Sequence, residues 1–166
     1  MTLVNSRTDV KNLTLTFITE FEAPVERVWQ VWEDPRQLER WWGPPTVPAT
    51  FERFEFRPGG EARYYMTTPD GSKPRGWWKF LTMDAPNRLE FVDGFADDNG
   101  DPLDVDDVAA VVATLEPFDG GTRMTLVNTF SSTEQLEAMV EMGMVEGLTE
   151  ALGQIDAVLA ESAVSH

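Results

Sequence analysis

The strongest constraint on the fold lies at the end of the chain. Ser132 and Gln135 form an S-x-x-Q capping box, and after them Leu136, Met139/Val140, Gly143/Met144, Gly147/Leu148, Ala151/Leu152, Ile155 and Val158/Leu159 recur at the helical period. About 28 residues at 1.5 Å rise predict a helix on the order of 40 Å long, enough to cross a whole antiparallel sheet. A single apolar stripe of that length needs one large apolar surface to cover it.

The preceding residues supply that surface. Leu13 to Phe21 alternates with the period of a half-buried strand. Pro24 then opens a short helix with Val25, Val28, Trp29 and Trp32 on one face, and Asp34-Pro35 ends it. A second short helix fits Arg36 to Trp41, before Gly43-Pro44-Pro45. Strands are predicted at 51–57, 61–68, 76–83, 88–93, 108–116 and 122–130. Pro58-Gly59-Gly60, Pro69-Asp70-Gly71, Ala85-Pro86-Asn87 and Asp119-Gly120-Gly121 supply hairpin turns, so the pairing is antiparallel. The pattern predicts an α+β fold: a curved antiparallel sheet wrapped around a long C-terminal helix, with two short helices after the first strand. One domain is expected over 13–162, with 1–12 an N-terminal segment open to disorder and 163–166 a tail.

Composition removes most familiar active sites. The chain has no cysteine, and its one histidine, His166, is the terminal residue, so thiolate chemistry and an internal Ser-His-Asp triad are both excluded. The net charge of −16 sits wholly in the second half, where seventeen acids after Arg88 face Arg123 alone. Such a field disfavours nucleic acid and anionic membrane surfaces. The chain opens without an apolar leader, and its longest apolar run, Val108 to Ala113, is far too short to span a bilayer, which makes the cytoplasm the expected location. The stretch from Asp93 to Asp107 holds seven aspartates and suggests calcium. Against an EF-hand template centred on Gly100, however, Phe95 and Asp106 stand at the two key ligand positions, so no metal and no cofactor is expected.

Several strings in sequence order carry a family resemblance. They are Phe21-Glu-Ala-Pro24-Val-Glu-Arg-Val-Trp29, Trp32-Glu-Asp-Pro35, Trp41-Trp42-Gly43-Pro44, Phe56-Arg57-Pro58-Gly59-Gly60, Arg88-Leu89-Glu-Phe91, Gly121-Thr122-Arg123-Met124-Thr125 and Gly143-Met-Val-Glu-Gly147. Together they resemble the SRPBCC superfamily, the START and birch-pollen-allergen helix-grip fold, in the branch named for the activator of the Hsp90 ATPase. The resemblance implies a cavity between helix and sheet that takes an apolar or aromatic small molecule. It also implies two rival readings, a chaperone co-factor-like interaction module and a polyketide cyclase-type enzyme. The first is weakened because only the C-terminal domain of the activator is matched, and the second because no histidine or cysteine lies inside. Oligomeric state, monomer or homodimer, is left open.

Candidate cavity residues follow from strand phase and helix spacing. Neighbours in a strand point to opposite faces, so of Trp77 and Trp78 only one faces the helix, and Gly76 and Phe80 put Trp78 inward. Tyr64 shares a face with Ala62 and Met66, and Asn128 with Met124, Leu126 and Phe130. Gly143 and Gly147 each cost a helix about 1 kcal/mol relative to alanine, which close packing or a ligand-sized notch would offset. Met139, Met142 and Met144 offer pliable walls. The predicted ligand-binding set is Trp32, Trp41, Tyr64, Trp78, Asn128, Met139, Gly143 and Gly147, with Trp29 and Trp42 as framework packing. No catalytic residue is assigned, and Glu52, Arg53, Glu61, Arg63 and Tyr65 read as surface groups. With the acids on the outer helix face and in the loop, the expected ligand is neutral or cationic.

Overall fold

The computed structural model describes residues 4–103 and 108–164. Eight strands form one antiparallel sheet: β1 Val4–Asp9, β2 Thr14–Phe21, β3 Ala49–Phe54, β4 Glu61–Met66, β5 Arg75–Asp84, β6 Arg88–Ala96, β7 Ala109–Phe118 and β8 Gly121–Thr129. Their order is β1-β2-β8-β7-β6-β5-β4-β3, so among the described strands every sequential pair is adjacent except β2 and β3, which lie far apart because β8 docks on β2. Two short helices fill that step, α1 Val25–Glu33 and α2 Pro35–Trp41. Asp34 both ends α1 and caps α2, its side chain accepting from the Arg36 N–H at 2.9 Å. Register shifts between Phe51 and Arg53 and between Phe80 and Thr82 bend the sheet around its contents.

Alternation decides which face is inside. Phe17, Ala62, Trp78, Phe80, Leu89, Phe91, Val111, Met124 and Leu126 are buried on the concave face. Val28, Trp32, Leu38 and Trp41 reach them from the short helices, and Leu136, Leu152, Ile155 and Val158 from the C-terminal region. Each of the larger aliphatic side chains and phenylalanines among them contributes roughly 1.5–3 kcal/mol through removal from water. The helix-grip α+β fold expected from the sequence is the observed one.

Two expectations are corrected. The apolar period after Ser132 does not run as one helix but as three, α3 Thr133–Glu141, α4 Met144–Leu152 and α5 Ile155–Val164. Gly143 sits at φ +93°, in the left-handed region, where it closes α3 and starts α4, its carbonyl accepting from the Gly147 N–H at 2.8 Å. An apolar period is blind to such a break, because the stripe resumes one turn later on the same side. The second correction concerns residues 4–9, which are not disordered but form the edge strand β1, paired with β2 from Val4↔Thr19 to Asp9↔Thr14. This strand is held by its ladder, and its polar sequence gave no apolar signal. Among the described residues no helix is long and apolar enough to cross a membrane. His166 and Asp106 lie outside the described residues.

Candidate functional site

The break at Gly143 stands over a cavity of about 390 Å³ between α3–α4 and the sheet. Its floor consists of Tyr64 from β4, Gly76 from β5, Asp93 and Phe95 from β6, Ala109 from β7, and Asn128 with the following Phe130. Gln135 and Met139 of α3, Met142, and Met144, Gly147 and Leu148 of α4 form the roof, and Trp42, Gly43 and Pro44 after α2 close one end. Phe95 and Met142 are exposed and mark the mouth. The wall is thus mainly aromatic and thioether surface, pierced by a few polar groups.

The polar centre is a phenol–carboxyl pair. Leu89 and Phe91 point inward on β6, so two residues on Asp93 does as well, directly across from Trp78 on β5 and Ala109 on β7. Tyr64 reaches it from β4, two strands away, and donates its hydroxyl to Asp93 Oδ1 at 3.2 Å. Gly76 permits this, because it lies beneath the ring: a Cβ there would stand 2.4 Å from the Tyr64 hydroxyl and 2.5 Å from Cζ. Burial pushes the Asp93 carboxyl up to about 7, against the opposing effect of the hydrogen bond from Tyr64. Burial also pushes the Tyr64 phenol well up, and the Asp93 charge adds to that, so the phenol stays a proton donor. The Trp78 N–H itself does not reach hydrogen-bonding geometry.

Further polar atoms are held on the opposite side. Ser132 Oγ accepts from the Gln135 N–H at 3.1 Å, while Gln135 Oε1 accepts from Ser131 N–H at 2.7 Å. A backbone N–H can only donate, so the amide oxygen is fixed at the cap and Nε2 is left buried and without a partner. Trp42 Nε1 is also buried and unpartnered. Asn128 donates through Nδ2 to the Leu15 carbonyl at 3.1 Å, tying that wall to β2. Arg75 lines the mouth but is bound to Glu52, and its guanidinium stacks over the Tyr65 ring, 5.2 Å from the centroid.

Of the residues predicted to line a cavity, Tyr64, Asn128, Met139 and Gly147 do, and Trp32, Trp41, Trp78 and Gly143 do not. Trp32 and Trp41 are sealed in the core, edge to face at 4.8 Å. Their indole N–H groups already have partners, Met124 Sδ at 3.4 Å and the Val31 carbonyl at 2.9 Å. Trp78 faces inward as its strand phase requires, but it is covered by Phe91, stacked at 4.3 Å, and by Trp42 at 4.8 Å. Gly143 serves the helix break, and a side chain there would meet only Glu146 Oε2, at 3.9 Å. Gly147 is a notch in the roof, where only Pro44 Cγ at 3.7 Å would meet a methyl group.

Three cavity residues escaped the sequence reading in this role. Trp42 was assigned to framework packing, yet it walls the cavity. Gln135 was seen only as a cap. Asp93 was grouped with the acidic loop, although the i, i+2 rule from Leu89 and Phe91 places it on the inner face. Residues 97–101 form a local turn, with Asp97 Oδ1 accepting from the N–H groups of Asn99 and Asp101 at 2.9 and 3.0 Å.

Comparison with known proteins bears on the whole fold. A protein from Arthrobacter aurescens, solved by solution NMR, is 58% identical over 95% of this chain and 91% of its own, with a TM-score of 0.90. A crystal structure from Mycobacterium smegmatis is 46% identical over 95% of this chain and 97% of its own, with a TM-score of 0.87. A third, from Nitrosomonas europaea, is 28% identical over 92% of this chain and 97% of its own, with a TM-score of 0.81. No curated protein matches the chain. The family described as "Activator of Hsp90 ATPase homolog 1-like protein" matches residues 22–160, from the turn before α1 to α5, and the chain belongs to that family.

Proposed function

We propose that this protein is a cytoplasmic binding protein that encloses a small apolar or aromatic molecule, neutral or cationic, between α3–α4 and the sheet. The observation that carries this reading is the cavity itself. It has about 390 Å³ of space, within the range of small-molecule sites, and a mainly apolar wall in which the hydrogen-bonded Tyr64 and Asp93 serve as orienting groups. Native mass spectrometry of gently purified protein, together with displacement of a fluorescent lipid mimic, tests the reading. A single equivalent of probe, released by competing apolar compounds, is the expected result. Failure of every probe to bind would overturn it.

The Tyr64–Asp93 pair supports a second reading, acid–base catalysis of the cyclase type. A carboxyl titrating at about 7 beside a neutral phenol suits proton abstraction next to a carbonyl, with the phenol positioned to donate to the developing oxyanion. Deuterium exchange at the acidic C–H of a bound aryl ketone, followed by NMR, tests this directly. Exchange faster than in buffer and lost in Asp93→Asn would support it; exchange at the buffer rate in the wild-type protein would exclude it.

A further inference from the structure

We infer that the ligand of this cavity is an amine on an aromatic or apolar body, with its ammonium held by Asp93. The inference rests on the binding reading above and sharpens it. The first argument is the missing counter-ion. Among the described residues Asp93 forms no ion pair with any lysine or arginine, and its contacts are the Tyr64 hydroxyl and the surrounding rings. Arg75, the only cation on the cavity wall among the described residues, is taken by Glu52 and turned onto Tyr65. A half-buried carboxylate in an apolar wall without a counter-ion is costly, and a ligand ammonium would supply the opposite charge.

The second argument is the vacant acceptor. Tyr64 donates to Oδ1 alone, which leaves Oδ2 to accept from an incoming N–H. The third is the wall. Trp42, Phe95 and Phe130 present ring surface, and Met139, Met142 and Met144 present thioethers, which suits a flat body close to a cation. The net charge of −16 draws cations and repels anions over a longer range.

Isothermal titration of the full chain with 2-naphthylethylamine, 2-naphthylethanol and 2-naphthylacetate tests the inference at constant shape. The amine is expected to bind at least tenfold more tightly than the alcohol, and the acetate at least tenfold more weakly. Asp93→Asn should erase the discrimination, so that amine and alcohol bind this variant within about twofold of each other. Tyr64→Phe, which keeps the ring, should leave most of the amine preference in place. If the alcohol binds at least as well as the amine to the wild-type protein, the amine assignment is overturned while the cavity reading stands. If none of the three binds, both fall.

Discussion

The Tyr64 hydroxyl donates to Asp93 across a whole intervening strand, at 3.2 Å, over the bare backbone of Gly76. One absent side chain therefore decides whether the cavity has a polar centre. Gly76→Ala should force the Tyr64 ring aside and cost about 1–3 kcal/mol of stability, as overpacking does elsewhere. Tyr64→Phe should remove the hydrogen bond without a clash. Urea titrations of the two variants check this: the alanine variant should be the less stable, and equal stability to the wild type would contradict the contact.

The Asp93 carboxyl makes stability depend on pH. Its folded-state value of about 7 lies above its ordinary 3.8, so between these values the folded state holds more protons than the unfolded state. Stability from this group is therefore lost as pH rises from about 4 through 7, by up to roughly 3–4 kcal/mol. Asp93→Asn removes that loss. The gap in Tm between variant and wild type should widen from pH 4 to pH 7.5 and then level off, whereas a gap independent of pH would contradict the burial of this carboxyl.

The two helix glycines should respond in opposite ways. Gly147 has room for a methyl, so Gly147→Ala should stabilise α4 by about 0.5–1 kcal/mol while narrowing the cavity and weakening probe binding. Gly143 has a φ of +93°, and Gly143→Ala should destabilise by about 1–2 kcal/mol through backbone strain alone. Thermal unfolding of the pair separates the two roles.

The tryptophans divide likewise. Trp32→Ala and Trp41→Ala each empty the centre of the core and should cost about 3–5 kcal/mol. Trp42→Phe should cost far less and act chiefly on probe affinity, because this indole makes no hydrogen bond and borders the cavity. Denaturant midpoints measured alongside probe affinity test the division.

Much of this architecture was legible because its signals are periodic. The alternation that set Ala62, Tyr64, Trp78 and Asn128 on one face needed only the two-residue period of a strand, and the turn residues fixed the hairpins around it. What periodicity does not carry is the depth of a side chain along the axis of the fold. Trp32 and Trp41 have the same inward phase as a cavity wall, and only the packing of ring on ring puts them beneath it. Asp93 was visible by phase but was masked by the run of aspartates that follows it. The handedness of Gly143 and the ladder that holds β1 depend on backbone geometry, which an apolar pattern does not encode.

The central claim is that the space beneath the helix break receives a ligand, and the amide and indole resonances of ¹⁵N-labelled protein titrated with 2-naphthylethanol test it most directly. Shifts should concentrate at Trp42 Nε1, Gly76, Gly94, Asn128 Nδ2 and Gly147, leaving Trp32 and Trp41 Nε1 unmoved. Saturable shifts confined to the outer sheet face, or none at millimolar probe, would contradict the account.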